Sequence, residues 1–228
     1  MIYIYLPISL KSSSRTTEYF TNQIAKGVKN LFVFELCVFL YTSNRMNIFF
    51  LSWDPDTCAQ LYCDQHVNKI LLEIVQMLYT SWHFLGCDDW HTGAPRRKSG
   101  ERGYKPVSNP KHAMVMWVRS HKDNYNWVAK LGMALAIEFN HRFGKIHACT
   151  KHIMWLYSNI PDRFEEVRNE KAYYSSSGFP SIFTPIPECM DPKFHHPNLL
   201  VANFNNYRET KLPFARFRRD ESRDYWFH

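Results

Sequence analysis

The residues best suited to chemistry in this chain are His66, Lys69, Glu73 and Gln76. At about 100° of turn per residue they share one arc of a helix, roughly 80° wide. A carboxylate in line with an amine and an imidazole offers a proton acceptor, a nucleophile once deprotonated, and a polar anchor for a ligand. The same spacing also fits a surface helix carrying an i,i+4 Lys69–Glu73 ion pair. Metal binding has less to recommend it. Cys58, Cys63 and His66 fall on the same predicted helix, and His147, Cys149 and His152 form an H-x-C-x₂-H run. Neither has the paired ligand spacing of common structural zinc sites, so no metal and no cofactor is expected. The chain contains no G-x-x-x-x-G-K-[ST], G-x-G-x-x-G or G-x-S-x-G. Nucleoside-triphosphate hydrolysis, dinucleotide binding and serine-hydrolase chemistry therefore find no support.

The element that must position the row is a helix predicted over Cys58–Leu85. Val67, Ile70, Leu71, Ile74, Met77 and Leu78 fall on one side of it and form a core face. A short extended run, Asn47–Leu51, precedes it. Asp54-Pro55-Asp56-Thr57 supplies the turn and the helix-start residues, and Gly86 stops the helix. Residues 86–111 lack periodicity and read as a loop carrying Arg96, Arg97, Lys98, Arg102 and Lys105. That cluster suits a solvated mobile loop or an arm that neutralises backbone phosphates. A second helical region is predicted over Pro110–Phe143, broken near Ser120 and capped by Gly144. Trp117, Tyr125, Trp127, Val128, Leu131, Leu135 and Phe139 supply its apolar positions. Glu138, His141, Arg142 and Lys145 bunch at its end, where cations suit the helix dipole. A third helix is expected over His147–Ser158, an irregular stretch over 159–198, and an amphipathic helix over Leu199–Lys211. The tail interleaves Phe214, Arg216, Phe217, Arg218, Arg219, Arg223, Tyr225, Trp226 and Phe227. Such a tail suits stacking on unpaired bases or folding back on the core.

Composition sets the frame. With 228 residues, 45% of them apolar, the chain supports one domain of ordinary size with a real core. A net charge of +7 favours a polyanionic partner, most simply nucleic acid. Rings make up 16% of the residues, and they serve cores and base stacking alike. Six scattered cysteines without a C-x-x-C pair suggest reduced thiols and a cytoplasmic or nuclear setting. Residues 1–45 read as an extension, with the functional chain, 46–228, opening at Met46. The apolar run Leu31–Tyr41 suggests a short hydrophobic helix, too short for an ordinary membrane span and too deep for a secretory signal. The expected architecture is all-α, a compact single-domain bundle of three to five helices with long irregular loops. A monomer without a membrane partner is expected.

Asp64-Gln65-His66, followed seven residues after the histidine by Glu73, resembles the active-site helix of the pyrimidine-dimer DNA glycosylase family, the bacteriophage endonuclease V type. Asn109-Pro110, the helix ending Glu138–Ile146 (EFNHRFGKI) and the aromatic tail are loosely similar to that family as well. Cys63–Lys69, which fits C-D-x-H-V-x-K, and the Y-x-W element Tyr125–Trp127 are similar to a set of small proteins of tailed phages and large DNA viruses. The resemblance spans about 46–228 and is most specific in the first helix. It implies an all-helical fold that removes damaged bases from DNA. In that family an N-terminal amine attacks the sugar C1′, the resulting imine β-eliminates, and a helix glutamate stabilises the charged intermediate. That glutamate matches Glu73, and a DNA-contacting histidine matches His66. The family's arginines near the glutamate are Leu72 and Gln76 here, and Asn47 follows Met46, so either Lys69 is the substitute amine or this branch has lost or changed the chemistry.

Three functions follow as expectations. The first is a DNA glycosylase/lyase-like enzyme on damaged or modified pyrimidines in viral or phage DNA, with Glu73, His66 and Lys69 catalytic. Its partner is double-stranded DNA with a damaged or flipped base. Gln76, Arg96, Arg97, Lys98, Arg102, Lys105, Glu138, Arg142, Lys145 and His147 are the expected DNA contacts. The second is a non-catalytic nucleic-acid-binding protein of the same fold. The third is an enzyme on nucleotides or another small anion, built around His66, Glu73, Arg142 and His147.

Overall fold

The computed structural model describes residues 47–86, 89–164, 173–174, 180–181 and 184–227. The expected N-terminal apolar helix and much of the expected irregular stretch lie outside them. Helices are α1 (Pro55–Leu61), α2 (Asp64–Leu85), the single turn α3 (Trp90–Gly93), α4 (Ala113–Ser120), α5 (Lys122–Phe143), α6 (Thr150–Ser158), α7 (Leu199–Thr210) and α8 (Asp220–Phe227). Besides two short 3₁₀ turns, the remaining regular structure among the described residues is a two-residue antiparallel pairing of Tyr173–Tyr174 with Pro180–Ser181. The described residues are thus an all-α fold within one compact unit. No helix among them is long and apolar enough to cross a membrane.

The helices number eight among the described residues where three to five were expected, because tertiary contacts cut the predicted segments. The sequence predicts one helix over Cys58–Leu85. The chain instead turns extended at Tyr62 and Cys63, ending α1 and starting α2. The amides and carbonyls released by that break find partners elsewhere in the fold. Arg142 donates to the carbonyls of Gln60 and Tyr62 at 2.9 and 2.7 Å. The Cys63 amide donates to the Tyr207 hydroxyl, and the Asp64 amide to the Arg216 carbonyl. The break expected near Ser120 is present: His121 is extended and its ring accepts the Asp123 amide, capping α5. Asp54 caps α1 through the Thr57 amide and hydroxyl, as its position before Pro55 suggests.

Helices α2 and α5, each of 22 residues, cross through the core. All six predicted core-face residues of α2 are buried. Gly132 of α5 permits the approach of α6 and α2, since a Cβ there would lie 2.5 Å from Ile153 Cδ1 and 3.0 Å from Ile74 Cγ2. Two ring clusters absorb many of the aromatics. Phe204, Trp226, Tyr207 and Tyr62 stack in succession with centroids 4.7, 5.3 and 5.9 Å apart. Tyr79, Trp82, Trp90 and Trp155 form the other cluster. The tail folds back, with the Trp226 indole donating to the Leu61 carbonyl.

Arg142 sits at the centre of a buried polar knot. Its guanidinium pairs with Glu138 at 2.7 Å and Asp64 at 3.1 Å. Arg219 reaches Glu138 at 2.8 Å, and Arg218 reaches Asp64 at 3.8 Å. Removing one partner from such a knot leaves uncompensated buried charge. Arg142→Met should therefore lower unfolding free energy by about 3–5 kcal/mol in a urea titration.

Candidate active site

Helix α2 presents Gln65, Asn68, Lys69, Leu72 and Gln76 as an open or half-open stripe, with Glu73 sunk at its edge. Three segments border the stripe. The first follows α7: the Gln65 amide donates to the Phe214 carbonyl, and its side-chain oxygen accepts the Arg216 amide. The second follows α5, where His147 Nε2 lies 3.0 Å from Asn68 Oδ1. The third precedes α4: the Val107 amide donates to Thr80 Oγ1, and the Tyr104 carbonyl meets His83 Nε2 at 3.0 Å.

Glu73 is buried, yet its charge is only partly answered. Oε1 lies 3.3 Å from Lys69 Nζ. Oε2 is shut off from solvent and has no hydrogen-bond partner among the described residues. Burial raises this carboxyl above its ordinary pKa, and Lys69 and Lys211 oppose the shift without cancelling it. The group is thus easier to protonate than a surface glutamate, which suits a residue that must exchange a proton.

Lys211 arrives from far along the chain. It is the residue that closes α7, its amide donating to the Tyr207 carbonyl at 2.8 Å. Its Nζ stands 5.6 Å from the centroid of the Phe49 ring. Burial, then the neighbouring Lys69 charge, lower its pKa below the lysine norm. Two amines therefore act on one carboxylate, Lys69 of α2 through an ion pair and Lys211 after α7 through its charge alone.

His66 is not an open acid or base. It is buried, stacks on Phe49 with centroids 5.3 Å apart, and its Nδ1 lies 2.8 Å from the Tyr207 hydroxyl. Burial, with help from Lys211 and Lys69, drives its pKa down to about 3, so the ring is neutral near pH 7. Its contact with Tyr207 ties α2 to α7.

The expected DNA contacts separate into two groups. Glu138 and Arg142 belong to the buried knot, and the Arg142 side chain has no exposed surface. Their assignment as contacts is corrected: desolvated partners hold them inside. The small-anion site that required Arg142 beside Glu73 loses that residue for the same reason. Arg96, Lys98, Arg102, Lys105 and Lys145 are exposed, and Arg97, Gln76 and His147 are half-buried.

The cationic loop is more ordered than its composition implied. Arg96 and Arg102 pair as an antiparallel bridge, and the Arg97 amide donates to the Glu101 carbonyl at 2.8 Å. Arg97 also forms an ion pair with Glu101 and lies 5.2 Å over the Tyr104 ring.

The cysteine and histidine runs have other partners. Cys58 Sγ donates to the Phe49 carbonyl, Tyr104 and Cys149 meet at 3.5 Å, and His152 meets the Tyr79 hydroxyl at 2.9 Å. Among the described residues no three His, Cys, Asp or Glu side chains are grouped to hold a metal ion. Cys58, Cys63 and Cys149 are free thiols.

Sequence reasoning found Glu73 and Lys69 from helical spacing alone. It missed Lys211, Tyr207 and Phe49, which come from other segments. For Arg142 a signal existed: Leu131, Leu135, Glu138 and Arg142 continue one i, i+4, i+7, i+11 stripe, which points inward.

The neutral histidines set an acid dependence. His152 is lowered by burial to about 4, beside His66 at about 3, against an ordinary value of 6.5. Below about pH 6.5 the unfolded chain binds protons that these buried rings refuse. Stability should be complete above that pH and fall as pH drops towards 3. His66→Gln should flatten the fall by up to about 1.4 kcal/mol per pH unit, measured as unfolding free energy against pH.

No family model, curated protein or solved structure matches this chain.

Proposed function

We propose that this protein is a DNA glycosylase with lyase-like chemistry, acting on damaged or modified pyrimidines in viral or phage DNA. The observation that carries the reading is Glu73, a buried carboxylate with one unpartnered oxygen among the described residues, ion-paired to Lys69 and within the electrostatic reach of Lys211, at the edge of an open helical stripe. Expelling a base leaves positive charge on the sugar, and a fixed carboxylate in a poorly solvated site stabilises it. An amine nearby captures C1′, and the resulting imine opens the route to strand cleavage. Gln76 and Leu72 occupy the stripe where a flipped nucleotide would lie.

Positive charge around the stripe supports a duplex partner. Lys105 lies close in sequence to Val107, which is bonded to α2 at Thr80. Arg216 is bonded to Gln65 at the opposite end, and Lys145 is exposed close to the His147–Asn68 contact. Side chains so spread can follow a phosphate backbone without reading sequence.

The Lys69–Glu73 pair has ordinary helical spacing, and that favours a second reading, a non-catalytic nucleic-acid-binding protein. Glu73→Gln separates the two. On the enzyme reading the variant nicks ultraviolet-irradiated duplex at least about 100-fold more slowly while binding it equally well. Undiminished nicking would remove Glu73 from the mechanism, and no nicking by the unaltered protein would leave only binding. Replacing Lys98 and Lys105 by Ala should weaken binding to any sequence. It should also reduce the slope of log K against log salt by about 1 for each phosphate no longer neutralised, read by fluorescence anisotropy. If no salt-dependent binding is found at low ionic strength, both nucleic-acid readings fail.

A further inference from the structure

The turn between α5 and α6 carries an apolar side chain that the core does not use. Ile146 is 79% exposed, the highest value of any large apolar side chain among the described residues. A lone exposed apolar residue is ordinary on a protein surface. The seat of Ile146 is not ordinary, because the chain is fixed on both sides of it. Gly144 ends α5 in the left-handed conformation, at φ +61°, with its amide donating to the Asn140 carbonyl at 2.8 Å. His147 then holds the chain at three points. Its Nε2 meets Asn68 Oδ1 on the open stripe of α2 at 3.0 Å, its Nδ1 accepts the Cys149 amide at 3.0 Å, and its carbonyl accepts the Thr150 amide at 2.9 Å. The His147 ring packs on Phe139, and Phe139 on Phe143, with centroids 4.8 and 4.6 Å apart. Lys145 and Ile146 therefore stand between two anchored residues, on a turn tied to the stripe that carries Leu72 and Gln76.

We propose that Ile146 is a wedge that enters the base stack of duplex DNA and holds open the step from which a nucleotide is turned out. The proposal rests on the glycosylase reading above and adds the residue that separates the bases. A nucleotide leaving the helix gives up its stacking, and an apolar side chain in the vacated space restores part of that contact. Ile146 is wetted in the free protein, so its surface leaves water only on insertion, and that burial favours the opened duplex. The anchored turn and the stiff β-branched side chain leave little freedom to lose at that moment. Lys145 on one side and Lys151, in the first turn of α6, on the other are both exposed and suited to the phosphates that flank the opened step. An aliphatic side chain offers no hydrogen bond to a base edge. Ile146 therefore parts the stack without reading sequence, and the choice of base is left to the stripe on α2.

The test uses the full chain on a duplex containing one cyclobutane thymine dimer, with 2-aminopurine as the neighbouring base on its 3′ side. Unstacking of that base on binding should brighten its fluorescence. Ile146→Ala should lose roughly 10-fold of the brightening and of the nicking rate, while Ile146→Leu keeps both. Thermal unfolding of either variant should match the unaltered protein, since the side chain packs little in the free fold. When the dimer lies in an unpaired bubble, where no stack has to be parted, Ile146→Ala should nick as fast as the unaltered protein. A purely structural role would not be rescued in this way. Undiminished brightening by Ile146→Ala overturns the wedge and leaves the glycosylase reading intact, as does an equal loss of nicking on duplex and bubble. Brightening that depends on Ile146 without any base release keeps the wedge and removes the glycosylase. If the unaltered protein binds neither DNA, both fall.

Discussion

The fold turns on the buried guanidinium of Arg142. It joins the end of α1, the first residue of α2, its own helix α5 and Ser222 of α8. Burying a charge of this kind is costly, and only a full set of acceptors offsets the cost. Here two carboxylates, two backbone carbonyls and a hydroxyl supply them. The carbonyls come from the very residues where the chain leaves α1 before starting α2. That break therefore comes with its partners in place, and it sets the direction in which α2 presents Glu73.

The same tail that completes the knot also closes the site. Arg218 and Arg219 answer the second oxygens of Asp64 and Glu138, Trp226 anchors on Leu61, and Arg216 and Phe214 bond Gln65. Lys211 lies just upstream of these contacts, on the turn they hold against α2. The interior carboxylates Asp64 and Glu138 are met on both oxygens, whereas Glu73 is met on one, by Lys69. The core sets its arginines against carboxylates, while the site leaves a carboxylate oxygen without a partner among the described residues. Polar groups in a packed interior are normally paired, and the second oxygen of Glu73 is an exception among the described residues.

The aromatic richness of the chain finds a mainly structural use. Tyr62, Tyr79, Tyr125, Tyr207 and Phe50 are fully buried, and Trp226 of the tail belongs to a stack rather than to solvent. Phe214, Tyr225 and Phe227 stay exposed at the same end of the chain. The loop of residues 95–103, irregular by composition, is held by a backbone bridge and an Arg97–Glu101 pair that no hydrophobic period could announce.

What the sequence determined by itself was local and periodic. The apolar faces of α2 and α5, the caps at Asp54 and Gly144, the interruption after Ser120 and the sharing of one helix edge by His66, Lys69 and Glu73 all follow from spacings within a few turns. The tertiary structure decided everything that depends on residues distant in sequence. It cut the predicted helix at Tyr62, took Arg142 and Glu138 out of the surface, neutralised His66 and brought the charge of Lys211 within reach of Glu73. The physical reason is that burial and electrostatic environment are properties of what packs against a side chain. Helical spacing fixes the direction in which a residue points, and only the docked segments fix what it meets.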